Sequence, residues 1–240
     1  MEKAIEVRGL LKDFGEIRAI NRATFDVSKG EIFGLIGPNG AGKTTTLRIV
    51  STLLQITEGS VSVFSLDVRE DAARVREFIS YLPEEAGAYK NLSGKAYLEF
   101  MAGFFSSGDK ERQQMVGKGV EIAKLEERIN DKVTTYSKGM TRKLLVARAL
   151  MINPRLAILD EPTSGLDVIN AQEIRGLIKD FVRKGTTVLL SSHNMLEVDF
   201  LCDRIALMDK GKIVESGTPP QLKKKYSTSN IEEVFMEAVR

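Results

Sequence analysis

The residues Gly37-Pro38-Asn39-Gly40-Ala41-Gly42-Lys43-Thr44 put three glycines ahead of an ammonium and a hydroxyl. That order matches the pattern G-x-x-x-x-G-K-[ST] in full. Its chemistry is anion capture. Glycines let a backbone wrap closely round a phosphate chain and turn its N–H groups inward, and a helix starting here would aim its positive dipole end at the same place. Lys43 can reach β- and γ-phosphates, Thr44 is placed to ligate Mg2+, and Thr45 extends the same segment. A second set, Leu156-Ala157-Ile158-Leu159-Asp160-Glu161, is an apolar run ending in two carboxylates. Asp160 suits a direct or second-sphere role at the metal. Glu161, one residue further, can point elsewhere and act on an attacking water. A carboxylate is a weak base in water, so geometry and local charge must hold it for that task.

These groups need elements to carry them. Ile32–Ile36 is a compact apolar run, as in a strand buried on both faces, and it leads straight into the glycine loop. A helix is expected from Lys43 to about Leu54. Ile5–Val7, Thr24–Val27, Ser60–Val63 and Ile79–Leu82 read as strands, with a polar helix over Glu70–Glu77. From Pro154 the alternation resumes: strands Leu156–Leu159, Thr187–Ser191 and Arg204–Met208, with a helix over Asn170–Lys184. Asp209-Lys210-Gly211-Lys212 reads as a hairpin turn into Ile213–Glu215. Alternating strands and helices imply an α/β fold with a mostly parallel sheet covered on both faces.

Residues 85–153 lack strands and read as an inserted α-helical lobe, with helices over Glu111–Leu125 and Lys138–Met151. Tyr97, Leu98, Met101, Phe104 and Phe105 recur at helical spacing, and the stripe is expected to pack in the core. Residues 1–84 and 154–217 then form the core of a single domain spanning 1–240, and 218–240 a helical tail. In that tail Lys223-Lys224-Lys225 is expected to be a solvated helix end, and Ser229 with Glu232 to cap a last helix over Ile231–Val239.

Bulk properties narrow the class. The 240 residues carry 35 basic and 33 acidic side chains, one Cys and one His. A single cysteine leaves no disulfide framework, and near-neutral charge gives no case for nucleic-acid binding. The first residues are charged and lack an apolar signal core. Arg148 or Asp160 interrupts the longest apolar stretches before they reach membrane-spanning length. The expectation is a cytoplasmic globular protein.

With both chemical elements placed, nearly the whole chain, residues 4–217, resembles the nucleotide-binding subunit of an ATP-binding-cassette (ABC) transporter. Tyr136-Ser137-Lys138-Gly139-Met140 stands where that family carries its signature, usually Leu-Ser-Gly-Gly-Gln. Ser164-Gly165-Leu166-Asp167 is similar to the D-loop, and His193 falls at the switch histidine. Phe14 falls at the adenine-stacking aromatic, and Glu84 where most members have the Gln of the Q-loop. Lys138, Met140 and Glu84 depart from the usual residues. The resemblance implies a P-loop NTPase-type sheet with an antiparallel β subdomain and the helical lobe.

It also implies bound ATP and Mg2+. Glu161 and His193 would be catalytic, and Thr44, Glu84 and Asp160 would stand at the metal. Ser137 and Gly139 would contact ATP held by a second copy or a homologous subunit, and Asp167 would bridge the two. The physical reading allows simpler roles as well: Ser137 and Asp167 can each cap a helix. The stretches Tyr81–Tyr89, Tyr136–Met140 and Asn230–Val239 resemble the branch serving drug and antibiotic exporters. The implied function is ATP hydrolysis driving a separate membrane permease from the inner face of the cell membrane. The alternative, a non-transport ABC ATPase acting on DNA or ribosomes, would normally bring coiled coils, zinc modules or a second cassette, and none is present in the sequence.

Overall fold

A computed structural model describes residues 2–240, apart from the side chain of Glu197. The chain opens with a long hairpin, β1 (Lys3–Phe14) and β2 (Ile17–Ser28), followed by β3 (Ile32–Ile36) and α1 (Lys43–Val50). Next come β4 (Glu58–Val63), β5 (Leu66–Asp67), α2 (Ala72–Arg76) and β6 (Ile79–Leu82). Helices α3 (Gly94–Ala102), α4 (Asp109–Ala123) and α5 (Lys138–Leu150) build the lobe. Then follow β7 (Leu156–Asp160), α6 (Val168–Arg183), β8 (Thr187–Ser192), α7 (Met195–Leu201), β9 (Arg204–Asp209) and β10 (Lys212–Gly217). Helices α8 (Pro219–Tyr226) and α9 (Ile231–Ala238) close the chain.

Two sheets result. A four-stranded antiparallel sheet has the order β2-β1-β4-β5, and a six-stranded sheet has the order β10-β9-β3-β8-β7-β6. Within the larger sheet all neighbours are parallel except the β9–β10 pair. Every residue of β3, β7 and β8 is buried. Alternate side chains feed two cores. Ile32, Ile36, Leu82, Leu159 and Leu190 face the lobe side, while Phe33, Leu35, Ile158 and Leu189 face α1 and the small sheet. Because β3, β8, β7 and β6 run the same way, the glycine loop, Asp160, His193 and Glu84 all emerge at one edge, where open α/β sheets bind ligands.

The short strands expected at Ile5–Val7 and Thr24–Val27 are in fact 12 residues each. Register shifts between Val7/Leu10 and Leu10/Lys12, with Gly9 at φ 55°, break the alternation that marks a strand in sequence. Helix α1 stops at Val50, earlier than expected, as Thr52 turns left-handed at φ 64°. The last helix is capped not by Ser229 but by Asn230, whose side chain accepts from the Glu233 N–H. Two of the three tail lysines are tied down: Lys223 pairs with Asp199 at 3.0 Å and Lys225 with Glu215.

The aromatic stripe divides. Tyr97 and Leu98 are buried as expected, but Phe104 is 69% and Phe105 49% exposed. Helix α3 ends at Ala102, so the 3.6-residue period stops before those two rings. Tyr89, Phe100 and Phe104 form a run of edge-to-face contacts with centroids 5.3 and 5.2 Å apart on the surface. Tyr97→Ala should therefore cost about 3 kcal/mol, whereas Phe104→Ala should cost less than about 1 kcal/mol. Urea unfolding midpoints measure both, and equal losses would contradict this division.

Candidate active site

The loop after β3 is shaped by what surrounds it. A Cβ on Gly37 would come within 2.1 Å of the Met208 carbonyl oxygen. One on Gly42, at φ 105°, would meet the Ala19 carbonyl at 2.6 Å. Only glycine fits either position. At the first position of α1, Lys43 is buried, and its Nζ donates to the carbonyls of Gly37 at 2.8 Å and Pro38 at 3.1 Å. Burial pulls its ammonium below the ordinary lysine range, while the carboxylates of Glu161, Asp160 and Glu84 pull the other way.

The two carboxylates at the end of β7 face different partners. Asp160 Oδ1 accepts from the Ser191 hydroxyl at 2.6 Å and the Thr44 hydroxyl at 3.1 Å, and Oδ2 accepts from the Tyr81 hydroxyl at 3.4 Å. Glu161 turns away because its backbone is left-handed, at φ 49°. Its Oε1 lies 3.7 Å from Lys43 Nζ, and its Oε2 lies 2.9 Å from Nδ1 of His193. The backbone N–H of Glu161 donates to the Ser191 hydroxyl at 2.9 Å. Ser191 and Tyr81 are site residues that sequence reasoning passed over. The one available signal for Ser191 is a hydroxyl following the apolar run Val188–Leu190 of a buried strand, in register with Asp160.

The residues fit a nucleotide with Mg2+. Asn39, Gly40, Gly42, Lys43, Thr44, Thr45, Glu84 and Glu161 line a cleft of about 300 Å³ beside Ala19 of β2. Among the described residues no cluster of three or more Asp, Glu, His or Cys could hold a metal unaided. The Thr44–Asp160 pair suits Mg2+, which takes one or two carboxylates and completes its shell with phosphate oxygens and water.

The structure does not bring every expected residue to this cleft. Phe14 is exposed at the tip of β1, with the Lys12 ammonium 4.8 Å from its ring centroid, and is not among the lining residues. Ser137 caps α5 by accepting from the Met140 N–H, and Asp167 caps α6 by accepting from the Asn170 N–H at 2.9 Å. These two lie together instead, through Gly139: a Cβ there would stand 2.5 Å from the Asn170 side chain, which itself bonds Asp167 at 2.5 Å. Within one chain, Ser137 and Gly139 are outside the lining of the phosphate cleft.

Replacing Ser191 by Ala should orphan the buried Glu161 N–H and release Asp160. The expected cost is about 1–3 kcal/mol in unfolding free energy, with a loss of nucleotide hydrolysis alongside; urea unfolding and phosphate release measure the two. An unchanged midpoint would contradict the bridging role.

Comparison with known proteins agrees with this geometry. The ABC transporter family model matches residues 20–164. An uncharacterized ABC transporter ATP-binding protein of Bacillus subtilis (strain 168), YhcH, is 38% identical over 216 residues, 90% of this chain and 70% of that protein. The linearmycin resistance ATP-binding protein LnrL of the same organism is 33% identical over 244 residues, 98% of this chain and 78% of that one. Among solved structures, the dimeric post-hydrolysis state of the ATP-binding cassette MJ0796 bound to ADP and Pi superposes with a TM-score of 0.80. It is 26% identical and covers 89% of this chain and 98% of its own. A loop with positions that only glycine can fill, a buried Lys43–Glu161 pair met by His193 at the surface, and these relatives all lead to one conclusion: the chain belongs to the ABC transporter family, as an ATP-binding cassette subunit.

Proposed function

We propose that this ATPase works as one of a pair of cassettes, turning ATP and water into ADP and phosphate to drive export through a separate membrane subunit. The observation that carries the catalytic part is Glu161, buried at the end of β7 and held between Lys43 and His193. Held so, its carboxylate can orient a water and take its proton as the water attacks the γ-phosphorus. His193 steadies Glu161 and can touch the γ-phosphate. Lys43 leaves the loop carbonyls it now bonds for the β- and γ-phosphates, while the backbone N–H groups of residues 37–45 cradle the chain. Thr44 and Asp160, with Glu84 opposite, would hold Mg2+, which supplies neutralisation of the phosphate charge.

Phe14 would stack on the adenine. Ser137 and Gly139 would serve the ATP of a second copy, with Asp167 bridging the copies. The contiguity of Gly139, Asn170 and Asp167 supports that reading, because one surface then presents all three residues. So does the dimeric state of the MJ0796 cassette. The resistance protein among the relatives supports an exporter. No helix of the described residues is long and apolar enough to cross a membrane, so spanning would fall to the partner. The exposed rings of Tyr89, Phe100 and Phe104, close in sequence to Glu84, supply an apolar face for that partner.

Glu161→Gln should lower ATP turnover about 10²-fold or more while ATP binding persists; undiminished turnover would remove Glu161 from its role. The tagged chain, solubilised from membranes, should copurify with a multi-span protein. Recovery only with ribosomes or DNA would overturn the transport reading.

A further inference from the structure

Strand β7 lies between β8 and β6, and Asp160 at its end is met from both sides. From β8 the Ser191 hydroxyl donates to Oδ1 at 2.6 Å, and from β6 the Tyr81 hydroxyl donates to Oδ2 at 3.4 Å. Register explains the reach. Tyr81 pairs with Ile158 across the parallel ladder, and Asp160 stands two residues further along the same face of β7. Such a diagonal is within reach of an aromatic side chain.

Packing does not ask for the Tyr81 hydroxyl. The ring leans on the core that includes Leu47 and Ile49 of α1, and it walls a groove of about 270 Å³ with Leu53, Met101 and Phe105. Phenylalanine would fill the same space. A phenol keeps its proton at neutral pH and can donate it to a carboxylate. Arg48 of α1 also acts on this hydroxyl, but a guanidinium only donates, so it offers the proton no acceptor. The proton therefore belongs to the contact with Asp160.

We propose that Tyr81 is a positioning residue for Asp160: its hydroxyl holds Oδ2 as Ser191 holds Oδ1, so the carboxylate cannot swing about its last bond and keeps facing Thr44. The proposal rests on the reading that Asp160 and Thr44 stand at Mg2+. Ser191 is the tight donor and Tyr81 the looser one, which leaves Oδ2 with capacity to spare for the ion. Groups that orient a metal's ligands from behind matter nearly as much as the ligands themselves. Tyr81 is held in its turn. Arg148 of α5 donates to its carbonyl at 3.2 Å, so the lobe helps to set where the phenol stands.

The test is binding of Mn2+, a spectroscopic stand-in for Mg2+, to the chain in excess over ADP. The free ion is read by its electron-spin resonance signal, and no turnover is involved. Tyr81→Phe should weaken Mn2+ binding about tenfold. ADP binding in EDTA and the melting of the chain should stay as in the parent, because the ring and its packing are kept. In an Asp160→Asn background the same substitution should change Mn2+ binding less than about twofold. Unchanged Mn2+ binding in Tyr81→Phe would overturn the proposal, and so would the same loss in both backgrounds. A loss of ADP binding in EDTA as large as the loss of Mn2+ would also overturn it and leave Tyr81 a packing group. Should Asp160→Asn itself bind Mn2+ like the parent, the metal reading fails and this proposal falls with it.

Discussion

The Ser191 hydroxyl is the point on which the site turns. Two successive acidic residues end a strand whose every position is buried, and two dry carboxylates side by side repel each other. Ser191 donates to the Asp160 carboxylate and accepts from the Glu161 N–H, so one small group fixes both residues from the neighbouring strand. Asp160 is then free to meet Thr44 and Tyr81, and Glu161 to meet Lys43 and His193. This depends on the parallel pairing that sets Asp160 opposite Ser191. A slip of one residue would turn every side chain of β7 to the other face and separate the pair.

The lobe is tied to the same edge. Arg142 bonds the Glu84 carbonyl and Arg148 bonds the Tyr81 carbonyl at 3.2 Å, so α5 holds the end of β6 and the loop after it at two points. Displacing the lobe would carry Tyr81, a partner of Asp160, along with it. At its other end α5 packs Gly139 against Asn170 with no room for a side chain. Sheet edge, lobe and the start of α6 are in this way mechanically continuous.

How far this was legible in the sequence follows from the range of the forces involved. The glycine loop, Lys43, Thr44 and the Asp160-Glu161 pair were readable because their chemistry is local. A glycine that must admit a carbonyl, or a strand ending in charge, leaves its mark in consecutive residues. Ser191, Tyr81 and Arg142 were not readable, since each matters only through a contact 30 or more positions away. The aromatic stripe failed for a different reason. Periodicity reports one face of a helix but not where the helix ends, and α3 ends before Phe104. The long β1–β2 hairpin was under-read because its bulges break the alternation.

Glu161 carries its side chain on a left-handed backbone that glycine would adopt freely and glutamate adopts at a cost of about 1 kcal/mol or more. A chain selected for folding alone would place glycine there. The molecule instead holds a permanent deficit at the residue we assign to the chemistry, and its surrounding network supplies the force that keeps it in place. Durability and turnover therefore pull this one position in opposite directions, and a sturdier version of the cassette could be obtained there at the expense of its work.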